Sequence, residues 1–341
     1  MNKIIRKLKR EESFMTGRYN LAPEFLSLII TFRCNFRCQS CSIWQKPPIQ
    51  ELSENEWLGI CRQAKEVFTP ETFVEINGGE ALLRKELVIS LIKTLKPHFK
   101  NVALNSNGLL ISKEIAKELE KSGLDLLKIS FYSLNEDIHN SLRGHPQAFC
   151  QAKKALELID NSRIKLEVGV LMMAKNMADL PELIKYLKTL NNANIILQPL
   201  DESIESEGSK NRAVNQTISE LWPAKEETAK FFDWVLENYK NYPIKNSLAS
   251  LKAMQEYYLQ PSSVLKYRCF AGQRNLVVYP QGDVAMCFKG RILGNLTKEN
   301  LSEILKGEAA RQERQNIRRC QKYCRIIGCN FSRGLLEVFK G

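Results

Sequence analysis

The chain has 341 residues, of which 44% are hydrophobic and 26% are charged, and its formal net charge is +12. This length suits one large α/β domain with a smaller appendage, and the composition is that of an ordinary globular protein. No apolar run approaches the ~18 residues of a transmembrane helix, and the charged N-terminus lacks a signal-peptide core. These features argue against a membrane-spanning protein and predict a cytoplasmic location.

Most of the positive charge lies at the two ends of the chain. Residues 1–18 carry six basic and two acidic residues, and residues 306–333 carry eight basic and two acidic residues. Such charge is common on solvated helix faces, but it also suits an anionic substrate, a membrane surface or nucleic acid. Ile4, Ile5 and Leu8 stand among the N-terminal basic residues, as in a basic amphipathic helix that contacts a membrane or an acidic partner.

Eight of the ten cysteines fall into two groups. The first has the spacing C-x3-C-x2-C and consists of Cys34, Cys38 and Cys41. The second consists of Cys269, Cys287, Cys320, Cys324 and Cys329. Because disulfides are rare in cytoplasmic proteins, this clustering favours ligation of a metal ion or an iron–sulfur cluster.

Thiolates bind both iron–sulfur clusters and zinc, so each cysteine group is compatible with either kind of site. Three thiolates on one short loop can hold three irons of a cubane cluster and leave the fourth iron open. A partial zinc site or buried thiols are the alternatives for this first group. Four C-terminal cysteines can complete a second cubane or a tetrahedral zinc site. The remaining two, Cys61 and Cys150, accompany apolar residues at helical spacing and are predicted to be structural thiols.

Six strand–helix repeats are predicted over the first 200 residues. The strands are expected at about Leu26–Phe32, Thr72–Asn77, Asn101–Asn105, Leu126–Phe131, Ile164–Leu171 and Asn194–Gln198. Ser53 and Glu56 have the spacing of a helix-opening capping box, and further helices are expected at about Arg84–Leu95, Ser112–Gly123, Pro146–Ile159 and Leu180–Leu190. The alternation implies parallel strands joined by right-handed crossovers, and hence an α/β fold, a partial (β/α)6 barrel.

The character of the chain changes after the sixth strand. Helices are predicted at about Ala224–Tyr239, Ser247–Tyr258 and Leu301–Ile317, and a β-hairpin is predicted around Pro280-Gln281-Gly282-Asp283. The pattern indicates a small C-terminal cysteine-rich domain of a hairpin and a helix. The predicted domains are a basic segment (1–22), the partial barrel (23–215), a helical connector (216–262) and the cysteine-rich domain (263–341).

The candidate functional motifs follow the predicted strands, where parallel barrels gather their chemistry. The cysteine loop follows the first strand, Gly78-Gly79-Glu80 follows the second, and Asn105 ends the third. The polar segment from Tyr132 to Gly144, which contains Arg143, follows Ser130 of the fourth strand, and Gln198 ends the sixth. His139 lies in that segment and is predicted to be structural rather than catalytic.

These motifs resemble those of the radical S-adenosylmethionine (radical SAM) superfamily over residues 26 to about 200. The resemblance implies that Cys34, Cys38 and Cys41 hold a 4Fe–4S cluster whose open iron binds the amino and carboxylate groups of exchangeable SAM. The other implied SAM contacts are Gly78, Gly79, Glu80, Asn105, Ser130, Arg143 and Gln198. Paired glycines permit close backbone approach, a glutamate accepts from an ammonium group, and an arginine pairs with a carboxylate.

The sequence departs from the family pattern at one position of the cysteine loop. Relatives usually have an aromatic residue before the third cysteine, where this chain has Ser40. Trp44 is predicted to substitute for that aromatic residue against the adenine of SAM.

The C-terminal part resembles the auxiliary-cluster domains called SPASM and twitch. Cys269, Gly282 and Cys287 have the spacing of the hairpin in these domains. The full SPASM pattern has seven cysteines and two clusters, whereas the five cysteines here imply one auxiliary 4Fe–4S cluster, as in twitch domains. The favoured ligands are Cys269, Cys287, Cys320 and Cys324, with Cys329 able to replace one of the last pair.

The resemblance implies an enzyme that reductively cleaves SAM to a 5′-deoxyadenosyl radical and takes a hydrogen atom from its substrate. Oxidation or cross-linking of a peptide or protein is the first hypothesis. Dehydrogenation, epimerisation or adenosylation of a small molecule, sugar or lipid precursor is the alternative. The implied partner is an electron donor such as flavodoxin or ferredoxin. A non-catalytic protein that binds zinc or nucleic acid is the alternative of another class, suggested by the basic ends.

Overall fold

A computed structural model describes residues 3–201, 220–326 and 331–332 of the chain. The described residues form two compact units. The first comprises the residues up to 32, residues 47–103 and those from 265 onward, and the second comprises residues 33–46 and 104–264. The predicted cluster ligand Cys329 lies outside the described residues.

The strands alternate with helices over the first 200 residues, as the sequence predicts. The strands are β1 (Phe25–Ile29), β2 (Phe73–Asn77), β3 (Asn101–Ser106), β4 (Leu126–Ser130), β5 (Lys165–Met172), β6 (Ala193–Pro199), β7 (Arg268–Cys269), β8 (Asn275–Val278), β9 (Asp283–Ala285), β10 (Gly294–Asn295) and β11 (Phe331–Ser332). The chain passes from the first unit into the second within β3.

In the first unit, β1 pairs in parallel with two strands, β2 and β8. Leu26 lies opposite Val74 of β2 and Leu276 of β8, so three apolar residues share one level of the sheet. Strand β9 pairs antiparallel with both β8 and β10. The predicted hairpin is therefore confirmed, and Gly282 occupies its turn at φ 89°, a conformation that favours glycine.

In the second unit, β5 pairs in parallel with both β4 and β6. Ser130 lies opposite Gly169, and Leu171 lies opposite Gln198. Parallel pairing of consecutive strands requires the crossover helices between them. Parallel strands that alternate with helices in each unit confirm the predicted fold class, an α/β partial barrel.

Five of the described helices begin just after a residue whose side chain accepts a hydrogen bond from the first turn. The helices are α1 (Lys3–Thr16), α2 (Glu54–Val67), α3 (Lys85–Leu95), α4 (Lys113–Ser122), α5 (Glu136–Arg143), α6 (Ala148–Asp160), α7 (Leu180–Lys188), α8 (Lys225–Asn238), α9 (Leu248–Leu259), α10 (Ala271–Arg274), α11 (Leu301–Lys306) and α12 (Glu308–Arg319). Ser53 and Glu56 form the predicted capping box at the start of α2.

One helix was not predicted, and the prediction of another is wrong. The polar segment after β4 contains α5, because the Asn135 side chain accepts from the Ile138 N–H at its start and Gly144 ends it at φ 61°. The single helix predicted over Leu301–Ile317 is two helices, since Gly307 adopts extended backbone (φ −65°, ψ 164°) between them.

The core lies against one face of the parallel strands. In the second unit Ile129, Val168 and Ile195 are almost fully buried, and the residues between the buried positions are half-buried or exposed. In the first unit Val74 and Ile76 of β2 show the same alternation. Because successive side chains of a strand point to opposite faces, each unit has an apolar face under its helices and a second, more polar face.

Helix α1 ties part of the basic N-terminus to the first unit. Arg6 pairs with Glu24 at 3.3 Å, Arg10 also pairs with Glu24, and Arg268 pairs with Glu11 at 2.6 Å. In the part of the chain that the structure describes, no helix combines the length and apolar character needed to cross a membrane. Contact of the basic ends with a membrane surface stays a prediction that these ion pairs do not support.

Candidate active site

The three thiols of the cysteine loop lie in one apolar cluster of the second unit. Cys38 is buried, and Cys34 and Cys41 are half-buried in a cluster that includes Phe36 and Ala148. The backbone N–H of Phe36 donates to Cys34 Sγ at 3.4 Å. Hydrogen bonds to sulfur tune iron–sulfur clusters, so the loop already has one feature that a cluster site needs.

Trp44 contacts the backbone of the loop itself. Its indole N–H donates to the Cys38 carbonyl at 3.3 Å, and the Arg37 guanidinium lies 5.3 Å from the centre of its ring. These contacts brace the loop between its second and third cysteines. The predicted packing of Trp44 against adenine stays a prediction.

The C-terminal end of α5 supports the cysteine loop. The Gln39 backbone N–H donates to the Leu142 carbonyl at 3.0 Å, and the Gln39 side-chain amide donates to the Ser141 carbonyl at 2.9 Å. A Cβ atom on Gly144 would lie 2.1 Å from the Arg37 carbonyl oxygen. The backbone of α5 therefore approaches the loop at a distance that only glycine permits.

Arg143 is a buried cation beside the three cysteines, and only 7% of its surface is exposed. Its guanidinium carbon lies 4.9 Å from the ring centre of Tyr132 and 5.4 Å from that of Phe36, and Nη1 donates to the Tyr132 hydroxyl at 2.9 Å. Burial opposes the charged form, but Tyr132 and the thiols of the cysteine loop outweigh it and raise the pKa of Arg143. A full positive charge therefore stands next to the cysteine loop.

His139 is a buried member of α5 and holds the backbone of Tyr132. Its Nδ1 accepts from the Tyr132 N–H at 3.1 Å, while the Asn176 side chain donates to the Tyr132 carbonyl at 2.7 Å. Burial, and then the nearby charge of Arg143, lower the pKa of His139 to about 3. The imidazole is therefore neutral at physiological pH, and these contacts fit the predicted structural role.

Three positions on β4 to β6 come together in the second unit. Ser130 is the cross-strand partner of Gly169, and a Cβ atom on Gly169 would lie 3.7 Å from Gln198 Oε1. Ser130 and Gly169 are half-buried, and Gln198 is exposed. A ligand that reaches this edge of the strands would therefore meet one hydroxyl and one amide with a bare backbone between them.

The end of β3 is tied to the cysteine loop. The Asn107 side chain donates to Asn35 Oδ1 at 2.6 Å, and Asn107 Oδ1 accepts from the Leu109 N–H at 3.0 Å. The predicted ligand Asn105 is half-buried two residues earlier in the chain. Asn35 and Asn107 thus fix the loop to a strand end, a role that the sequence prediction did not give them.

In the first unit, the Gly78-Gly79-Glu80 turn packs against the chain after β1. The Gly79 N–H donates to the Thr31 carbonyl at 2.9 Å, and a Cβ atom on Gly78 would lie 3.0 Å from Thr31 Cγ2 and 3.1 Å from the Thr31 carbonyl oxygen. Glu80 is 1% exposed, and its Oε1 accepts from the Leu82 N–H at 3.1 Å. The turn is thus a rigid stretch of backbone with a buried carboxylate.

The sequence prediction missed the polar residues of the less buried strand faces. In the first unit, Asn77 donates to Ser27 Oγ at 2.6 Å and to Glu75 Oε2 at 3.0 Å. In the second unit, Lys128 pairs with its cross-strand partner Glu167 at 3.2 Å. The alternation of polar and apolar residues along β2, β4 and β5 is the signal that could have identified them.

The C-terminal cysteines approach one another in the first unit. Cys269 is buried, and the thiols of Cys287, Cys324 and Cys320 lie within electrostatic range of it. Backbone N–H groups donate to Cys287 Sγ from Lys289 at 3.5 Å and to Cys320 Sγ from Lys322 at 3.4 Å. Burial first, and then these neighbouring thiols, raise the pKa of Cys269 to about 12.

Arg325 holds the last described cysteines against the segment before Cys269. Its guanidinium donates to the carbonyls of Leu265 at 3.1 Å and Tyr267 at 2.7 Å, and also to the carbonyl of Cys320. Strand β11 pairs antiparallel with β7 in the same region.

Among the described residues, no three His, Cys, Asp or Glu side chains form a group that could hold a single metal ion.

Two family models match the chain. The model of the radical SAM superfamily matches residues 28–187, and an iron–sulfur cluster-binding domain named SPASM matches residues 269–330. The two matched segments contain the first three cysteines and the five C-terminal cysteines, respectively.

Several proteins similar in sequence are GTP 3′,8-cyclases or probable GTP 3′,8-cyclases. The enzyme of Trichodesmium erythraeum is 37% identical over 36% of this chain and 38% of its own length. The probable enzyme of Methanocaldococcus jannaschii is 27% identical over 56% of this chain and 64% of its length, and that of Archaeoglobus fulgidus is 25% identical over 80% and 82%. The chain thus spans less than two thirds of the first two relatives.

Solved structures resemble the fold. Streptococcus suis SuiB bound to S-adenosylmethionine has a TM-score of 0.66 at 16% identity, over 90% of this chain and 70% of SuiB. SuiB bound to its precursor peptide SuiA has the same TM-score and identity over 89% and 69%. The anSMEcpe protein with bound AdoMet has a TM-score of 0.64 at 17% identity, over 85% and 82%. At 16–17% identity, this similarity shows the fold alone.

Proposed function

We propose that this chain, which is a radical SAM enzyme with a C-terminal SPASM domain, takes a hydrogen atom from a peptide or protein substrate and oxidises or cross-links it. When bound, a 4Fe–4S cluster with S-adenosylmethionine supplies a 5′-deoxyadenosyl radical by reductive cleavage, and the auxiliary 4Fe–4S cluster supplies an electron acceptor. The residues of the chain ligate these groups, orient them and exclude water. The observation that carries the proposal is the cysteine loop with Arg143 buried beside its three thiols.

The second unit fits the catalytic cluster and SAM. We assign Cys34, Cys38 and Cys41 as ligands because they share one apolar cluster, where the charge of Arg143 offsets that of the thiolates. Arg143 Nε is buried and has no hydrogen-bond partner among the described residues. Buried donors are nearly always paired, so we assign this N–H to an acceptor absent from the chain itself, the SAM carboxylate. Proposed further contacts of SAM are Asn105, Ser130 and Gln198.

The first unit contributes the proposed partner of the SAM amino group. We assign this role to Gly78, Gly79 and Glu80. A Cβ on Gly78 would crowd Thr31, so glycine permits the close packing that fixes the position of this turn. The buried carboxylate of Glu80 would bind an ammonium group through a charge-assisted hydrogen bond, which is about twice as strong as a neutral one.

The C-terminal cysteines fit a cubane with four protein ligands. We assign Cys269, Cys287, Cys320 and Cys324 because the last three thiols lie within electrostatic range of Cys269 and two of the four receive backbone N–H groups. Cys329 stays an alternative ligand. With four cysteines no iron remains open for the substrate, which favours electron transfer over substrate ligation as the role of this cluster.

The comparisons favour two different substrate classes. A precursor peptide occupies the structure of SuiB with SuiA, which shares the fold over most of this chain. This favours a peptide and an oxidoreductase of the maturase type. The sequence relatives are named as enzymes that act on GTP, which favours the second candidate, radical modification of a small molecule. In both cases an electron donor such as flavodoxin or ferredoxin is the proposed partner.

Anaerobic reconstitution tests the chemistry. The holoenzyme should bind about eight irons, in two cubanes, and should release 5′-deoxyadenosine from SAM when dithionite is supplied. Replacing Cys34 by alanine should abolish this cleavage, whereas Cys269→Ala should leave cleavage without substrate and stop turnover. A colourless zinc protein that cleaves no SAM would refute the proposal and favour the non-catalytic alternative, whose binding to polyanions falls steeply with salt.

The substrate is tested by the rate of 5′-deoxyadenosine release. Candidate peptides encoded beside this gene should accelerate release and acquire a mass change of two hydrogens or a cross-link. Acceleration by GTP instead, with conversion of the nucleotide, would contradict the peptide assignment and support the small-molecule candidate. Cys61→Ala is the matched control for the Cys34→Ala and Cys269→Ala variants, because Cys61 is a buried core thiol on α2 that belongs to neither cysteine group.

A further inference from the structure

Helix α12 carries a carboxylate into the interior of the first unit. Glu313 is 4% exposed. Its Oε1 accepts from the Arg291 backbone N–H at 3.2 Å, and its Oε2 accepts from the Asn316 side chain at 3.3 Å. Both donors are neutral amides. The free energy of burying a carboxylate is high, so a glutamate held by two such bonds points to a use for its charge.

The carboxylate is close to a proposed ligand of the auxiliary cluster. A Cβ atom on Gly290 would lie 2.6 Å from Glu313 Oε1 and 3.3 Å from Cys287 Cβ. The Glu313 oxygen is therefore within about 5.9 Å of Cys287 Cβ, the sum of these two distances. Glycine at 290 makes this approach possible, since any other side chain would occupy the position of the carboxylate.

We infer that Glu313 is a positioning residue that lowers the reduction potential of the auxiliary cluster through a fixed negative charge beside Cys287. The inference rests on the proposed ligation of that cluster by Cys287. Reduction adds an electron to an already anionic cluster, and a buried negative charge repels it more strongly than an exposed one does. A low potential would make the reduced cluster a stronger donor, so that an electron taken from a substrate radical would pass to the oxidised form of the proposed flavodoxin or ferredoxin partner.

A basic residue beside the proposed ligand Cys320 acts in the opposite direction but is exposed. The Lys322 backbone N–H donates to Cys320 Sγ at 3.4 Å, while the Lys322 side chain lies in solvent, where water and salt screen its charge. The charge of Glu313 is screened less because Glu313 is buried.

The test is an EPR-monitored redox titration of the anaerobic holoenzyme without substrate. Glu313→Gln removes the charge and keeps an oxygen for the Arg291 N–H. We expect the midpoint potential of the auxiliary cluster to become more positive, by at least tenfold in the ratio of reduced to oxidised cluster, or about 59 mV for one electron. The cluster of the N-terminal cysteines, in the other unit, should keep its potential.

Lys322→Gln is the matched control. This variant removes an exposed charge beside the same cluster and should change the ratio of reduced to oxidised cluster less than threefold. An unchanged auxiliary potential in Glu313→Gln with a full complement of iron would overturn the inference and leave Glu313 as a bracket for the 287–291 loop. If Glu313→Gln loses iron, Glu313→Asp is titrated instead: a smaller positive shift supports the inference, and no shift overturns it.

Cys287→Ala separates this inference from the proposed function. Loss of the auxiliary signal in that variant, together with an unshifted Glu313→Gln, refutes the role of Glu313 alone. Retention of the signal refutes Cys287 as a ligand, and the inference about Glu313 fails with it.

Discussion

Replacing Gly144 by alanine should displace the cysteine loop and leave the rest of the second unit folded. Gly144 ends α5 at φ 61°, and the position of its missing Cβ lies 2.1 Å from the Arg37 carbonyl oxygen and 2.5 Å from the Arg37 carbonyl carbon. Arg37 stands between two of the proposed cluster ligands, Cys34 and Cys38. The methyl group of alanine would therefore push on the backbone that fixes the spacing of these thiols.

The size of the perturbation follows from the contact. Even an approach of 3.0 Å, about the shortest that real Cβ atoms show, requires the Arg37 backbone to move by about 0.9 Å. The left-handed conformation adds about 1 kcal/mol of strain for alanine. The strain lowers the free energy of unfolding modestly, but a shift of about 1 Å in a ligand loop is enough to impair a cluster site, which tolerates about 0.5 Å.

The assay compares iron content with stability. Gly144→Ala should lose about four of about eight irons and all cleavage of SAM, while circular dichroism stays unchanged. Gly123→Ala is the matched control, because Gly123 also ends a helix, α4, at positive φ (92°). It should lose a similar free energy of unfolding and keep every iron. A Gly144→Ala protein with full iron and normal SAM cleavage would refute the reasoning.

Three further predictions concern buried groups. The pKa of His139 is about 3 in the folded state, whereas its ordinary value is 6.5. The free energy of unfolding, measured by urea titration, should therefore fall below pH 6.5, by about 1.4 kcal/mol at pH 5.5. His139→Asn should remove this pH dependence. Burial raises the pKa of Cys61 to about 12, so thiol reagents should label it only after unfolding, and labelling of the native protein would contradict this. Arg325→Met removes the guanidinium donor of four carbonyls, and each carbonyl left unpaired costs about 1–3 kcal/mol. The variant should release the auxiliary irons alone, and full iron retention would count against the bracing role.

The order of the elements could be predicted because it is written in local patterns. The alternation of apolar residues along β4 and β5 and the capping box at Ser53 each depend on neighbours a few residues apart. Helix α5 was missed because its helical register is short and polar. Its evidence is in its two ends, Asn135 and Gly144, which the sequence shows as ordinary loop residues.

The candidate site was predictable to the extent that ligand spacing is local. C-x3-C-x2-C and Gly78-Gly79-Glu80 are contiguous motifs, so their residues could be named without a structure. The contacts that support them are distant in sequence. Gln39 meets Ser141 and Leu142 across about a hundred residues, and no periodicity within either segment encodes that meeting.

The sequence alone determined the strand–helix alternation, the positions of both cysteine groups and the glycine turn, because each arises from interactions among adjacent residues. Only the tertiary structure decided that Arg143 is buried between two aromatic rings, that the Cys269 and Cys320 thiols approach each other, and that Glu313 reaches Cys287. Burial and electrostatic proximity depend on how distant segments pack. The same residue types would be ordinary surface charges if the helices that carry them were turned outward.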